Sequence, residues 1–302
     1  MKHLSGMTFK KGSIFSIISL ILLIDFWPAS AQNAPHALKR IVLDAGHGGK
    51  DIGTPHYLLT QDEKDIALNV ILKLGQILKD SMPDLQVIYT RTSDVFIPLQ
   101  QRHEIANKAN ADLFISVHVN STAGTRTRVA DGYHYVGRGR HRRRVRSYRT
   151  IVNRSTDAHG TETYVLGLHR NPQKSKAIEN YSETVTDEPG MLDENDPTTQ
   201  ILVAQYTQTF LSKSIDFASL VQQNFEKQGR ASYGVKQKGL EVLAGSAMPG
   251  VLIETGFINN PDDEKYLNSS VGQQQIAMAI YYAIKSYKAE LARKEKITTA
   301  QR

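Results

Sequence analysis

The sequence of 302 residues has no cysteine and a single tryptophan, and it has no long hydrophobic run apart from residues 14–24. The lack of cysteine excludes a disulfide framework, a thiolate-ligated metal centre and a thiol nucleophile. Any bound metal must therefore take its ligands from His, Asp or Glu. The lack of further apolar runs excludes a multi-pass membrane protein. With 40% hydrophobic and 22% charged residues, the composition is that of a globular protein.

The first 31 residues have the pattern of a secretory signal peptide. Three lysines precede the apolar run 14–24, and Pro-Ala-Ser-Ala follows at 28–31 with small residues at both recognition positions of a cleavage site. We expect cleavage after Ala31 and a mature protein that is periplasmic or associated with the cell wall, with no stable membrane insertion afterwards. The alternative is an uncleaved anchor; a lipoprotein is excluded because no cysteine follows.

Charge is concentrated in two segments. The net charge is +7, but ten arginines and only two aspartates lie in the basic insert, 124–159. Seven acidic residues lie between 179 and 196. We predict a catalytic domain over 32–287 interrupted by this basic insert and by an acidic insert, 179–199, and followed by a polar, frayed tail, 288–302.

Apolar runs alternate with helical periodicity along the chain. The runs predict strands, and the spacing of i, i+3 and i+4 apolar residues predicts helices. The strands are expected at 40–44, 86–90, 113–120, 161–166 and 251–254, and the helices at 65–79, 99–110, 202–228 and 271–287. This alternation predicts an α/β fold, a three-layer sandwich in which helices flank a mixed, mostly parallel central sheet.

Four polar residues lie where these strands end or where the first helix begins. His47 follows the first strand, His118 and Glu254 end later strands, and Glu63 precedes the first helix. Ligands of open α/β sheets bind at the carboxyl ends of the strands, so all four are expected at one edge. Two histidines and a carboxylate suit Zn²⁺ with an open position, and a second carboxylate can transfer protons.

Each of these residues also has a structural interpretation. His47 is compatible with a solvated loop histidine, and His118 with a hydrogen-bonded core histidine. Glu63 suits a helix N-terminus, where negative charge interacts favourably with the helix dipole, and Glu254 is compatible with an ion pair to a lysine. The gaps between the four residues follow no short-range metal motif.

A series of motifs resembles the zinc-dependent N-acetylmuramoyl-L-alanine amidases of the amidase_3 type. They occur in the order of that family and extend from about residue 39 to 287. They are IVLDAGHGGKD at 41–51, EKD at 63–65, TRTSD at 90–94, FISVHVN at 114–120, GTETY at 160–164, GVK at 234–236 and MPGVLIETGFINN at 248–260.

The resemblance implies that His47, Glu63 and His118 bind zinc and that Glu254 is the catalytic carboxylate. The implied substrate is peptidoglycan, cleaved at the amide between N-acetylmuramic acid and L-alanine during cell separation or wall turnover. Asp44 is a candidate to orient His47, with a strand-end cap as the alternative, and Asn120 is a candidate to line the cleft. Competing functions are a zinc peptidase acting on stem peptides and a non-catalytic wall-binding regulator.

The resemblance also implies a role for the acidic insert. Some family members carry a helical segment here that covers the zinc cleft until an activator protein withdraws it. The candidate blocking residues are Glu183, Asp187, Glu188, Asp193 and Glu194, with Ile201, Leu202 and Tyr206 packing over the cleft. The alternatives are an acidic loop that does not contact the metal and pairing with the basic insert.

The basic insert combines its arginines with Tyr133, Tyr135 and Tyr148. Arginines interleaved with aromatic residues are typical of nucleic-acid binding, but an exported protein seldom meets nucleic acid, so we predict no such partner. The other two interpretations are a solvated loop and electrostatic attraction to an anionic wall or membrane surface.

Overall fold

The computed structural model describes residues 38–181 and 196–300. Within these ranges the strands are β1 (Arg40–Ala45), β2 (Gln86–Tyr89), β3 (Leu113–Asn120), β4 (Thr125–Val136), β5 (Arg143–Asn153), β6 (Thr161–Leu166), β7 (Ser232–Lys238) and β8 (Gly250–Phe257). The α-helices are α1 (Glu63–Ser81), α2 (Leu99–Lys108), α3 (Asn171–Asn180), α4 (Pro197–Lys227), α5 (Glu241–Ala244), α6 (Pro261–Asn268) and α7 (Ser270–Ala300). The predicted signal peptide lies outside the described residues.

Six strands form the central sheet in the order β2-β1-β3-β8-β6-β7. The strands β2, β1, β3 and β8 are mutually parallel, whereas β6 runs antiparallel to β8 and parallel to β7. The predicted mixed, mostly parallel sheet is therefore confirmed. Because β1, β3 and β8 share one direction, their carboxyl ends meet at one edge, which we call the site edge.

Helices cover both faces of this sheet. Alternate side chains of the central strands, such as Leu43 and Ile115, pack against α1, α4 and α7 in one fully buried cluster. The intervening side chains, such as Val42 and Phe114, pack on the opposite face with residues of α2 and α5. Buried on both faces, the central strands have the near-continuous apolar sequences that parallel strands require. The three-layer prediction is confirmed.

Several elements differ from the sequence prediction. The basic insert, for which no strands were predicted, forms an antiparallel hairpin of β4 and β5. The long helix α4 begins at Pro197, ahead of the predicted start at 202, and within it the Ser214 hydroxyl donates to the Phe210 carbonyl. The expected frayed tail is a continuation of α7 to Ala300, and Leu291 within it is buried against the core. No helix in the described part of the chain has both the length and the apolar character needed to cross a membrane.

The start of α4 does not lie over the predicted cleft. Leu202 and Tyr206 pack against a buried cluster that contains Ile178 and Ala247. Ala247 precedes β8 and therefore lies at the amino-terminal edge of the sheet, opposite the site edge. Ile201 is 70% exposed. The expectation that these residues cover the cleft is therefore wrong. The candidate blocking acids, Glu183, Asp187, Glu188, Asp193 and Glu194, lie outside the described residues.

Candidate metal centre

The polar residues named from the sequence meet at the site edge. His118 is the sixth residue of β3, and in the parallel register it lies beside Glu254 of β8. Glu63 is the first residue of α1, and its side chain is 6% exposed. His47 lies in the turn after β1 in a left-handed conformation, with φ of 59°. Strand pairing fixes two of the four residues, and the loop after β1 and the start of α1 place the other two.

Three of these side chains form a group that fits a metal ion. One ligand atom from each of His47, Glu63 and His118 lies within 4.8 Å of the others. Oε1 of Glu63 lies 3.1 Å from Nε2 of His47 and 3.0 Å from Nδ1 of His118. Two imidazoles and a carboxylate are the ligands of open, catalytic zinc sites. The donor set and its convergence therefore fit Zn²⁺.

Two glycines lie so close to these three side chains that a Cβ at either position would collide with one of them. A Cβ on Gly46 would lie 2.4 Å from the His118 ring, and a Cβ on Gly53 would lie 2.7 Å from the Glu63 carboxylate. Gly53 also has φ of +66°, which side chains other than glycine rarely adopt. Any larger residue at either position would displace a proposed ligand.

The backbone holds the Glu63 carboxylate in place. Its Oε2 accepts a hydrogen bond from the Thr54 amide at 2.8 Å, and its Oε1 accepts one from Val119 at 3.1 Å. Burial raises the pKa of Glu63, but hydrogen bonds and charge from His118 and His47 outweigh it and lower the pKa well below its usual value. Glu63 is therefore ionised, as a metal ligand must be.

The second carboxylate, Glu254, has a different environment. Its Oε2 is buried and has no hydrogen-bond partner among the described residues. Burial raises its pKa to about 7, with Glu63 and Glu162 acting in the same direction while His118 and Lys238 oppose it. A carboxyl group with a pKa near neutrality can both accept and return a proton. An unpartnered buried oxygen beside these three side chains also fits a site that receives a further group.

Glu162, which is not among the site residues predicted from the sequence, lies opposite Glu254 in the antiparallel β6–β8 register. Its carboxylate accepts hydrogen bonds from Asn120 at 2.9 Å, Tyr164 at 2.6 Å and Lys236 at 2.5 Å. Asn120, which the sequence offered as a candidate to line the cleft, therefore lies at the site edge in contact with Glu162. In the sequence, Glu162 is marked only by its place in the GTETY motif. Its position beside Glu254 depends on the pairing of β6 with β8, which is a long-range contact.

The aspartate that orients His47 is Asp51, and the Asp44 prediction is wrong on this point. Asp51 Oδ2 lies 2.9 Å from His47 Nδ1. Asp44 is fully buried and instead binds Arg102 at 2.7 Å and the hydroxyls of Thr90 and Ser116 at 2.6 Å. Asp44 and His47 line the same cavity, but the Asp44 carboxylate is engaged by these three side chains.

A cavity of about 320 Å³ opens beside the two histidines. Its lining combines His47 and His118 with apolar side chains that include Phe96, Ile97 and Val242. A concave apolar wall next to a few convergent polar groups is the usual form of a ligand site. The fold and this site together define an α/β protein with a His–Glu–His group at the site edge that could hold a metal ion.

Comparison with known proteins identifies the family. The family model described as Amidase_3, N-acetylmuramoyl-L-alanine amidase, matches residues 41–286. The chain belongs to this family, as its motifs predict.

Relatives of this chain include N-acetylmuramoyl-L-alanine amidases AmiA of Salmonella typhimurium and AmiC of Escherichia coli. AmiA is 29% identical over 251 residues, which cover 82% of this chain and 76% of AmiA. AmiC is 28% identical, and the match covers 83% of this chain and 53% of AmiC, so the chain spans about half the length of that relative.

Among solved structures, the CwlV amidase catalytic domain of Bacillus (Paenibacillus) polymyxa is 25% identical, with a TM-score of 0.51 over 82% of this chain and 97% of that chain. The CwlD amidase of Clostridioides difficile shares the fold at 22% identity, with a TM-score of 0.55 over 83% of this chain and 98% of that chain.

Proposed function

We propose that the protein is an exported, zinc-dependent N-acetylmuramoyl-L-alanine amidase acting on peptidoglycan. The bond cleaved is the amide between the lactyl carbonyl of N-acetylmuramic acid and the nitrogen of L-alanine. The observation that carries this proposal is the convergence of His47, Glu63 and His118 beside Glu254, whose buried Oε2 has no hydrogen-bond partner within the described ranges. This arrangement occurs in a chain of the amidase family.

The three clustered side chains would hold the metal. Bound Zn²⁺ supplies Lewis-acid polarisation of the amide carbonyl and activation of water. Asp51 accepts a hydrogen bond from the Nδ1–H of His47 and so directs Nε2 toward the Glu63 carboxylate. The backbone amides of Thr54 and Val119 keep that carboxylate oriented without a contribution from flexible side chains.

Glu254 is the proton carrier in this proposal. Its carboxylate takes one proton from the attacking water as the new C–O bond forms at the lactyl carbon. It then gives that proton to the L-alanine nitrogen as the C–N bond breaks. The second proton of the water starts on the new carboxyl group and passes to the same nitrogen, so the products are the lactyl carboxylate and the ammonium form of the L-alanine amine, and atoms and charge balance. A pKa of about 7 suits both transfers near neutral pH.

The hydrogen-bond network of Glu162 supports this role. Its charge helps to raise the pKa of Glu254, and Lys236 and Tyr164 hold it in place. Glu162 therefore acts as a positioning and tuning residue. Asn120, which donates to the same carboxylate, lies two residues after His118 at the end of β3.

We propose that the enzyme acts in the periplasm or cell wall, in cell separation or wall turnover, after removal of residues 1–31. An exported protein whose amino terminus is Gln32 would support cleavage after Ala31. An exported protein that retains Met1 would contradict it.

Autoinhibition and its relief by an activator stay predictions. The acidic candidates lie outside the described residues, and Leu202 and Tyr206 pack at the opposite edge of the sheet. Deletion of 182–195 should speed digestion of peptidoglycan if the segment blocks the site. Unchanged or slower digestion with retained metal would contradict autoinhibition.

The experiment that tests the proposed activity is digestion of purified sacculi by the zinc-loaded protein. We expect release of peptides with a free L-alanine amine, loss of that release on adding a chelator, and recovery on returning Zn²⁺. His118→Ala should lose metal and activity together. Release that is insensitive to chelator, or fragments that begin at any other residue, would contradict the proposal.

A further inference from the structure

The basic insert forms a projecting arm whose base lies at the metal site. Strands β4 and β5 pair with each other in a sheet of their own. Twelve residues of β4 at about 3.4 Å each give the arm a length of roughly 40 Å. Most of its side chains are exposed on both faces.

Both ends of this arm are attached to the loop after β8. The Thr122 amide donates to the side chain of Asn259, which in turn donates to the carbonyl of Arg154 at 2.5 Å. The Arg154 guanidinium donates to the carbonyl of Pro55, in the loop between His47 and Glu63. Because Asn259 follows Glu254 by five residues, the arm begins at the rim of the candidate metal centre.

Arginine and tyrosine side chains occupy one face of the arm. Residues directly opposite in an antiparallel pair share a face, and each strand alternates between faces. The register pairs Arg128 with Thr150, Tyr133 with Arg146 and Tyr135 with Arg144. This face, which we call the arginine–tyrosine face, carries Arg126, Arg128, Tyr133, Tyr135, Arg144, Arg146 and Tyr148, together with Ala130, Thr150 and Val152.

Stacking holds the guanidinium groups on this face. Arg144 lies 3.7 Å from the ring centroid of Tyr133, and Arg128 lies 4.3 Å from that of Tyr148. Arg142, next to the tip, stacks on Tyr135 at 4.4 Å. A guanidinium stacked on a ring keeps its N–H groups directed outward along the edge of its plane. The three rings remain about half exposed.

The arginines of this face have no carboxylate partner among residues 38–181 and 196–300. The arm has one acidic residue, Asp131, which lies 3.9 Å from Arg149 on the opposite face. Within the described ranges, this cationic face thus presents its charge to solvent. Planar guanidinium groups bind carboxylates through two parallel hydrogen bonds.

The opposite face does not suit insertion into a bilayer. Its valines, such as Val129 and Val145, alternate with His134, Arg143 and Arg149 rather than forming a continuous apolar stripe. Membrane-surface elements combine one polar face with one apolar face. A hydrated polymer that presents both carboxylates and sugar rings fits the exposed guanidinium and tyrosine groups better.

We propose that the arginine–tyrosine face is an accessory binding surface for peptidoglycan strands, pairing with the free carboxylates of stem peptides and packing tyrosine rings on the sugars. This inference rests on the proposed function for the identity of the polymer. A strand held along the arm passes the rim of the site, where Asn259 attaches the arm to the loop after Glu254. The arm thereby raises the local concentration of stem peptides at the cleft.

The test measures binding rather than hydrolysis. Full-length protein with Glu254→Gln, which should leave sacculi intact, is sedimented with purified sacculi at low and moderate salt. The test variant replaces Arg128, Arg144 and Arg146 with glutamine. The matched control makes the same charge change at Arg138, Arg140 and Arg143, at the tip and on the opposite face.

We expect the test variant to lose about tenfold or more in affinity for sacculi, and the control to stay within about twofold of the parent. Amidation of the sacculi, which blocks their carboxylates, should lower the affinity of the parent protein for sacculi to the same extent. Thermal unfolding of each variant shows whether the fold is retained. If the glutamine variant does not fold, the triple lysine variant, which keeps the charge but loses the planar stack, should still bind several-fold more weakly than the parent.

Equal losses in test and control variants, or no loss in either, would overturn the proposal. Stronger binding to vesicles of anionic phospholipid, lost in the test variant, would assign the face to a membrane instead. Binding to single-stranded DNA in preference to sacculi would also overturn it. If sacculi bind through this face but no L-alanine amines are released by the unsubstituted enzyme, the proposed activity fails while the binding surface stands.

Discussion

Replacing Asp51 with asparagine tests how the site holds its first histidine. Asp51 Oδ2 lies 2.9 Å from His47 Nδ1, and its other oxygen accepts a hydrogen bond from the Gly53 amide at 3.1 Å. Asparagine keeps the size and the Gly53 contact but removes the charge. A carboxylate behind a ligating histidine orients the ring and increases its basicity. Loss of such a partner typically lowers metal affinity by about 10- to 100-fold, or about 1.4–2.7 kcal/mol.

The same substitution changes how strongly a proton competes with zinc for His47. Burial lowers the pKa of His47, but hydrogen bonds and charge from Glu63 and Asp51 raise it to about 9 in the metal-free protein. Metal binding must displace this proton, so the apparent affinity should rise with pH up to about 9. Asp51→Asn removes part of the upward shift and thereby weakens the competing proton. The affinity deficit of the variant should therefore be largest above pH 9 and smaller at pH 7.

Titration of the metal-free protein with Zn²⁺ against a competing chelator at pH 7 and above pH 9 measures both effects. The matched control is Asp84→Asn, which removes an exposed aspartate that pairs with Lys288 at the opposite edge of the sheet. We expect the control to bind zinc like the unsubstituted protein at both pH values. Equal affinities for Asp51→Asn and the unsubstituted protein above pH 9 would refute the orienting role.

Three further predictions concern other carboxylates of the site and its support. Glu254→Gln should keep zinc and lose turnover by about 100-fold or more, and release of the metal would contradict its role as proton carrier. Glu162→Gln removes a charge that raises the pKa of Glu254, so the acid limb of the pH–rate profile should move to lower pH; an unmoved limb would contradict the tuning role.

Asp44→Asn leaves the buried Arg102 without its counter-ion and should cost about 3–5 kcal/mol in the free energy of unfolding. Burial raises the pKa of Asp44, but Arg102 and two hydroxyls outweigh it and hold that pKa below the usual value of an aspartate. The ionised carboxylate therefore stabilises the fold above the usual aspartate pKa of about 4, and the difference in unfolding free energy from the variant should close as the pH falls further. Chemical denaturation at several pH values measures this difference in unfolding free energy. A difference that stays constant with pH would contradict the prediction.

The strands and helices of the sheet could be predicted from the sequence because their burial leaves a regular apolar pattern. Edge strand β7 has the sequence SYGVKQK, with little apolar periodicity, and was missed. The arm was missed for the same reason, since its arginines form strands without a buried face. In both cases long-range pairing, rather than local pattern, determines the structure.

The candidate site was predictable to the extent that residues lie at strand ends. His118 and Glu254 follow from that rule together with the parallel register. The choice between Asp44 and Asp51 as the partner of His47 did not follow, because both are near it in sequence. The positive φ of His47 and the pairing of Gly48 with Asp51 decide that choice, and neither is visible in a one-dimensional pattern.

The most direct test of the central claim is digestion of sacculi in water enriched in oxygen-18, followed by mass spectrometry of the fragments. Amide hydrolysis at the lactyl carbonyl places the water oxygen in the carboxylate of N-acetylmuramic acid and leaves an unlabelled peptide with a free L-alanine amine. We predict label in that lactyl carboxylate, dependent on zinc and on Glu254. Label in a carboxylate within the stem peptide, with muramic acid still attached to L-alanine, would show a peptidase and contradict the account.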